Sequence, residues 1–387
     1  MRVRVLVAAV AMLGVVLAAV AVLVAIRVNS LPPAKPSPTP AVTADPAQPR
    51  TPLPSSPGGH PIVYLYYYLW WTPEHWAAKL GSHYPLRKVP PPVPGAVDAS
   101  GCSPKTYYGG STIVDVPAQG LYNQYDEAVY AEQISQAAQA GVTGFLVSWQ
   151  GTGADRQSPR ASGYDERLSL MVKAVTNYNA THPGDPFHLA LALSAFGDYT
   201  RPARQITNDL AYFTHTYGRN QAFRNSFSSL PIVIIMDSRK YSLATVSAIW
   251  AAGHASAYLV GDETQDSWAR DAPYLDATSY YWSSEDPTRN SRAQGDLESL
   301  ASQVHGDGKK WFAPFIPGYN TQLLGGSCVP RNGVSTLESV WDVNATTDPD
   351  AWFGISWNEF VENTYLQPSD AYGSTYLNEL RQLIQAG

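Results

Sequence analysis

Two glutamates stand three positions apart near the C-terminal end of the chain, directly after an apolar and aromatic run. The run begins at Trp352 and continues through Trp357 and Asn358 to Glu359 and Glu362. A strand that leaves a dry interior ordinarily ends in turn residues such as Gly, Pro or Ser. Acids at the carboxyl end of a strand are instead the arrangement that catalytic sites of α/β barrels use.

A pair of carboxylates suits glycoside hydrolysis. One carboxyl group protonates the leaving oxygen, and the other acts as base or nucleophile at the opposite side of the anomeric carbon. A low density of neighbouring charge helps one Glu to keep a raised pKa while the other stays ionised. A solvated loop is the simpler interpretation of the same two acids.

Other hydrolytic chemistries find less support in the sequence. No Ser-His-Asp order is evident, and the histidines are scattered without metal-ligand spacing. We therefore expect no metal and no cofactor. The histidines of the predicted folded part are His75, His83, His182, His188, His215, His254 and His305.

Eight apolar runs predict strands that are buried on both faces, as in a parallel sheet. They lie at 62–68, 141–149, 187–194, 231–237, 257–262, 275–282, 311–316 and in the run that starts at Trp352. Apolar residues at helical spacing occupy the intervals 126–140, 164–178, 202–217, 243–252, 291–304, 335–343 and 372–385. The interval 263–274 is short, and its helix is the least clearly indicated of the eight. The alternation predicts the α/β class, a (β/α)₈ TIM barrel over residues 61–387.

Polar or aromatic residues follow most of the predicted strands, and in a barrel these ends meet at one mouth. We expect them to bind the substrate. Simpler explanations exist: Asp237 could cap a helix, and Trp149 or Trp282 could belong to the core. The candidates are Tyr67, Trp149, Asp198, Tyr199, Asp237, Tyr281, Trp282, Tyr319 and Asn358.

Composition favours a carbohydrate partner over nucleic acid. The 387 residues include 11 Trp and 24 Tyr, while only 15% are charged and the net charge is −6. Aromatic rings stack on the apolar faces of sugars and donate hydrogen bonds to their hydroxyls. The same excess is compatible with a large aromatic core. Because the chain has no basic run, nucleic acid is an unfavourable partner.

The N-terminal segment predicts a membrane anchor. Residues 5–26 form an apolar run of 22 between Arg4 and Arg27, long enough to cross a bilayer core of roughly 30 Å. A cleaved signal peptide has a shorter apolar core and a small-residue cleavage site. We therefore expect a signal-anchor over 1–29 with the body extracytoplasmic, and a secreted, cleaved form is the alternative.

Residues 30–60 predict an extended linker. Ten of the thirty residues from Leu31 to His60 are Pro, a composition that cannot bury a core and favours polyproline II. The expected organisation is an anchor, a Pro-rich linker and one barrel domain over 61–387.

Several stretches resemble glycoside hydrolase family 99 and its relatives, the endo-α-mannosidase group. The run from Trp357 to Pro368 resembles the family's Trp-Asn-Glu-Trp-His-Glu-Gly-Thr-x-Ile-Glu-Pro signature. The segment 313–320 is similar to its Pro-Gly-Tyr-Asp segment, and Arg331 falls where the family has an Arg before the seventh helix. Residues 64–71 and 141–149 resemble the family's first and second strands.

The resemblance implies a retaining (β/α)₈ hydrolase that acts within α-mannose-containing glycans. Carried onto this chain, Glu359 is the base that deprotonates the sugar 2-hydroxyl, which attacks the anomeric carbon to give a 1,2-anhydro sugar. Glu362 is the general acid and then activates water. Arg331 joins the substrate-binding candidates. The residues themselves equally allow a conventional nucleophile and acid.

The sequence departs from the family pattern around the acids. Phe360 and Val361 stand where the family has Trp and His, Asn363 replaces its Gly, and Gln367 replaces its second Glu. Its Glu-Pro-Tyr after the third strand appears only as 196–199. Both catalytic acids remain, so hydrolysis is expected, while the altered positions leave another α-linked wall or capsular glycan open as the substrate.

A disulfide is expected between Cys102 and Cys328. The even cysteine count permits one in an extracytoplasmic body. In a closed barrel, the loops after strands one and seven flank the loop after strand eight. Cys102 lies in the first of these loops and Cys328 in the seventh.

The sequence therefore predicts a membrane-anchored extracytoplasmic glycoside hydrolase with an oligosaccharide or polysaccharide substrate. Two alternatives use the same scaffold: a non-catalytic glycan-binding protein, and a factor in polysaccharide assembly or export.

Overall fold

The computed structural model describes residues 59–81, 84, 100–102, 113–152, 163–194, 201–286 and 290–386. The predicted anchor at 5–26 and nearly all of the predicted linker therefore lie outside the described residues. Within the described part, no helix is both long and apolar enough to span a membrane.

Eight parallel strands close into a barrel, each neighbouring the next along the chain. The predicted (β/α)₈ fold is confirmed over these residues. The barrel strands are β1 (Val63–Tyr68), β2 (Gly144–Trp149), β3 (His188–Leu193), β4 (Ile232–Ile235), β5 (Tyr258–Asp262), β6 (Ala277–Ser279), β7 (Lys310–Phe315) and β10 (Ala351–Gly354). Strand β10 pairs with both β7 and β1 and closes the ring.

Nine helices are described around the barrel, and all except the first lie in or overlap the predicted intervals. They are α1 (Pro73–Leu80), α2 (Glu127–Gln139), α3 (Tyr164–Thr181), α4 (Ala203–Thr216), α5 (Leu243–Gly253), α6 (Gln265–Asp271), α7 (Ser291–Gly306), α8 (Ser335–Ala345) and α9 (Thr375–Ala386). Short 3₁₀ turns occur at Gln221–Phe223, Ser238–Lys240, Ala272–Tyr274 and Gln322–Leu324.

Two described elements were not expected from the sequence. Helix α1 begins in the loop after β1, where Thr72 caps its N-terminus and Pro73 occupies its first position. A small antiparallel pair, β8 (Tyr319–Asn320) and β9 (Cys328–Val329), follows β7. Both elements lie in the loops at the carboxyl ends of their strands, and so they shape the mouth of the barrel.

The interior of the barrel is filled by alternate residues of each strand. Tyr64 and Tyr66 of β1 both contact Phe353 of the neighbouring strand β10. Tyr67, one position on, instead packs against Tyr130 of α2. Because successive side chains of a strand point to opposite faces, this alternation decides which strand-end residues reach the mouth.

Gly144 makes room for the tyrosines inside the barrel. A Cβ at this position would stand 2.2 Å from the carbonyl oxygen of His188 and 2.8 Å from the ring of Tyr64. We expect Gly144→Ala to lower the free energy of unfolding by about 1–3 kcal/mol through overpacking, as measured by chemical denaturation.

The matched control is Gly295→Ala on α7, where a Cβ would meet nothing within 4 Å. Ala is the better helix former by about 1 kcal/mol, so this variant should gain stability. Equal unfolding midpoints for Gly144→Ala and the wild type would contradict the packing described here.

Candidate active site

Glu359 and Glu362 lie on a loop that folds back on itself after β10. We call residues 356–366 the acid loop. Its two ends are paired, because the Ser356 amide donates to Thr364 at 2.8 Å and the Leu366 amide to Ser356 at 2.9 Å. The Ser356 hydroxyl also accepts the Glu359 amide at 2.9 Å. The loop is therefore a closed unit that fixes the backbone of both acids.

Asn358 fastens the acid loop to the first strand. Its Oδ1 accepts the Tyr68 amide at 2.8 Å, and its Nδ2 donates to the Tyr68 carbonyl at 3.0 Å. Its own carbonyl accepts the indole of Trp71 at 2.7 Å. Asn358 was expected to bind the substrate. It is instead fully buried, and its contacts position the loop.

Arg331 holds the other side of the acid loop. Its Nη2 donates to the carbonyls of Asn363 and Tyr365 at 2.8 and 2.9 Å. The guanidinium lies over the rings of Tyr365, Tyr372 and Tyr376, 4.2–5.0 Å from their centroids. Because this Arg is buried among its partners, the expected contact with substrate is replaced by a positioning role.

Asn363 explains one departure from the family signature. Its φ is +57°, the left-handed region that Gly favours and that Asn tolerates better than most residues. Its side chain donates to the Asn320 carbonyl at 2.6 Å. Asn363 therefore adopts a turn conformation that Gly also favours, and its side chain anchors the acid loop to Asn320.

The disulfide lies two hydrogen bonds from Glu362. Cys102 and Cys328 are joined, the pairing expected from the sequence. The carbonyl of Gly101, next to Cys102, accepts the Asn320 side chain at 3.0 Å. The Asn320 amide in turn donates to the Glu362 carbonyl at 2.8 Å. The crosslink thus ties the loops after β1 and β7 to the acid loop.

Both carboxyl groups are held in a poorly solvated environment. Glu359 is 2% exposed, and its Oε1 accepts the amides of Val361 at 2.7 Å and Glu362 at 3.3 Å. Burial raises the pKa of Glu359 well above its ordinary value, and the charge of Glu362 raises it further. The two acids are therefore electrostatically coupled.

Glu362 has hydroxyl partners on its side chain. The Ser283 hydroxyl donates to its Oε2 at 3.2 Å. Burial raises the pKa of Glu362, while hydrogen bonds from Ser283 and Tyr281 oppose the rise because they favour the ionised form. The pair thus has one carboxylate dominated by burial and repulsion, and one stabilised by donors.

Tyrosines surround the acid pair. The Tyr68 and Tyr281 hydroxyls are 2.6 Å apart, and the charges of both acids contribute to raising the pKa of each Tyr beyond the effect of burial. Tyr319 is partly buried and lies in the same negative field. Trp70 stacks on Tyr68 with centroids 4.4 Å apart and on His75 with centroids 5.8 Å apart. It is partly exposed beside the mouth.

A buried carboxylate fixes the Tyr281 segment. Asp262 accepts the amides of Asp237 and Tyr281, each at 2.8 Å, and pairs with Arg239 at 2.5 Å. Asp237 pairs with Arg239 and Lys240 at 2.8 and 3.1 Å. Asp237 is therefore occupied by cations at the end of β4, and it does not meet the acid pair in the contacts described.

Five other predicted residues lie away from the acids or outside the described residues. Tyr67 is buried outside the barrel and hydrogen-bonds Gln133 of α2 at 2.7 Å. Trp149 is buried against Tyr212 of α4, so both belong to the core, contrary to expectation. Asp198 and Tyr199 lie outside the described residues. Trp282 is mostly buried and lines a separate cleft beside α7.

The structure also places Tyr68, Ser283 and Trp70 near the acid pair, although they are not among the substrate-binding candidates given above. Strand alternation could have found Tyr68, since Tyr66 and Tyr68 share one face of β1. Ser283 follows the last strand-like position of its segment and carries no signal of its own. In the part of the chain that the structure describes, no group of three His, Cys, Asp or Glu side chains could hold a metal ion.

Solved structures of glycoside hydrolases share this architecture. Two structures of the family 99 endo-α-mannosidase of Bacteroides thetaiotaomicron match with TM-scores of 0.62 and 0.61 at 17% and 18% identity. Each match covers 84% of this chain and 96% of that one. The chain has a family 99-like fold. A glycoside hydrolase-like protein matches at a TM-score of 0.56 and 13% identity, over 86% and 97% of the chains.

No protein-family model and no curated protein sequence matches the chain. At these identities the solved structures establish the fold alone.

Removal of the Glu359 charge should stabilise the protein. A carboxyl group whose folded pKa lies above its unfolded value contributes full stability at low pH and loses it as the pH rises through the raised pKa. We expect Glu359→Gln to raise Tm at pH 7 by about 1–2 °C, which corresponds to roughly 1 kcal/mol in a domain of this size. At pH 4 the difference should vanish.

The control is Glu298→Gln, an exposed position on α7, which should leave Tm unchanged at both pH values. Calorimetry of the three proteins makes the comparison. A Glu359→Gln variant that is less stable than the wild type at pH 7 would contradict the pKa direction given for this carboxyl group.

Proposed function

We propose that this protein is a retaining glycoside hydrolase that cleaves α-linked glycans, of a mannose-type or cell-surface kind, with Glu359 and Glu362. The observation that carries the proposal is the acid pair itself: a buried and a partly buried carboxyl group, both with raised pKa, on a closed loop at the carboxyl end of a barrel strand. That placement is where α/β barrels perform catalysis. The family 99-like fold supports the same assignment.

The raised pKa values suit the roles that the sequence resemblance implies. A base is stronger when its pKa is raised, which suits Glu359 as the group that deprotonates the sugar 2-hydroxyl. An acid with a raised pKa keeps its proton closer to neutral pH, which suits Glu362 as proton donor to the leaving oxygen. A conventional nucleophile and acid remain the alternative use of the same pair.

Aromatic and hydroxyl groups around the pair fit a sugar. Trp70 stacks on Tyr68 and His75 and is partly exposed, and aromatic residues of this kind contact the C–H face of a pyranose. Tyr281, Tyr319 and Ser283 provide hydroxyls near the acids. We propose these residues, with the two acids, as the contacts of the sugar that is cleaved.

We further propose an extracytoplasmic location, with residues 5–26 as a single-pass anchor and 30–60 as a spacer. The disulfide between Cys102 and Cys328 supports this location, because such bonds persist in oxidising compartments and are rare in the cytosol. Surface labelling of intact cells with a membrane-impermeant reagent should modify the barrel. Labelling only after lysis would contradict the proposed topology.

The test of hydrolysis uses the purified full-length protein in detergent with a panel of α-mannans and bacterial wall glycans. We expect the wild type to release oligosaccharides that mass spectrometry identifies. Glu359→Gln and Glu362→Gln should each lower the rate by roughly 10²–10⁴, the usual contribution of a general acid or base. The first product should keep the anomeric configuration of the substrate by NMR.

Glu298→Gln serves again as the matched control and should retain full activity. Release of products that both active-site variants retain would contradict the assignment of the acid pair. Glycan binding without turnover, unchanged in both variants, would favour a glycan-binding protein on the same barrel.

A further inference from the structure

A second concave site lies beside the acid pair, on the other side of one short segment. Residues 280–283 follow β6, and Tyr281 and Ser283 both interact with Glu362. Tyr280 and Trp282 line a separate cavity of about 530 Å³. Alternate residues of an extended segment point to opposite sides, so the segment is a wall with the acids on one face and the cleft on the other.

The cleft has the size and composition of a ligand site. Its volume falls within the range of about 300–1,000 Å³ that small-molecule sites occupy. The rings of Tyr280 and Trp282 are 5.8 Å apart, and helix α7 forms the opposite side with Ala293 and neighbouring apolar residues. Neither acid of the catalytic pair lines this cleft.

The charges of the cleft select among ligands. Asp266, Glu285 and Asp296 contribute three carboxylates against the single guanidinium of Arg292 among the described lining residues. Asp296 and Arg292 approach to 3.9 Å, which leaves an acidic excess. The carboxylates accept hydrogen bonds from sugar hydroxyls or ammonium groups, and they repel uronate, phosphate or sulfate groups.

We propose that this cleft binds a sugar residue of the glycan that the acid pair cleaves, and that this glycan is a neutral or amino-sugar polymer. The proposal rests on the proposed function for the identity of the ligand. Aromatic rings supply the stacking surface, and the acidic excess excludes anionic glycans. A polymer that crosses the wall of residues 280–283 contacts both sites, so the cleft favours long chains over short ones.

The test blocks the cleft from the helix side. Ala293 lines the cleft on α7 and is partly exposed, so Ala293→Trp fills the cavity without altering either catalytic acid. Ser302 is exposed on the same helix, nine residues on, and nine steps of about 100° place it on the opposite face. Ser302→Trp is therefore the matched control.

Binding is measured by calorimetry in the full-length Glu362→Gln background, so that the readout does not depend on turnover. The probes are α-mannan oligosaccharides, α-(1→4)-linked galactosamine oligosaccharides and oligogalacturonate. We expect neutral or amino oligosaccharides to bind, Ala293→Trp to weaken that binding at least tenfold, and Ser302→Trp to leave it unchanged. Oligogalacturonate should not bind.

Three outcomes would overturn the proposal: binding that Ala293→Trp leaves intact, preferential binding of oligogalacturonate, or no binding of any probe. Hydrolysis by the otherwise wild-type protein is measured in parallel. If cleft binding fails while the wild type still releases products, the cleft proposal fails and the proposed function stands. If Ala293→Trp abolishes binding but the otherwise wild-type protein releases no products, the proposed function fails, and the cleft remains a glycan-binding site.

Discussion

Two carboxyl groups held together in a dry barrel mouth are the constraint on which the rest of this structure depends. Burial and mutual repulsion raise the pKa of Glu359, a state that disfavours the folded protein near neutral pH. Hydrogen bonds from the surrounding structure hold the acid loop in place despite that cost. Asn358 fastens the acid loop to β1, and the buried Arg331 grips its far side. These contacts preserve a site that burial alone would destabilise.

The sequence was sufficient for the barrel because its strands are continuous apolar runs. All eight predicted runs overlap a strand of the observed barrel, six containing it whole, since burial on both faces leaves little choice of residue. In a continuous apolar run, the sequence does not show which strand-end residues point into the barrel and which point toward the helices. Tyr67 and Tyr68 are equally apolar, yet Tyr68 reaches the acids while Tyr67 packs against α2. Trp149 was misjudged for the same reason.

Positioning residues were harder to predict than the acids themselves. Arg331 and Asn358 are polar residues of types that bind sugars, and only the structure shows that Nη2 of Arg331 and the side-chain amide of Asn358 bind main-chain groups. The β8–β9 pair and the cleft behind Tyr280 arise from loops, whose course the local sequence does not dictate. The disulfide was predictable because barrel closure alone brings its two loops together.

Titration of the two carboxyl groups tests the central claim most directly. Carbon-13-labelled Glu in the full-length protein, assigned with Glu359→Gln and Glu362→Gln, reports each pKa by NMR. The account predicts that both carboxyl groups titrate above the ordinary Glu value of about 4.3, and that Glu362→Gln lowers the pKa of Glu359. Two carboxyl groups that titrate independently at ordinary values would contradict it.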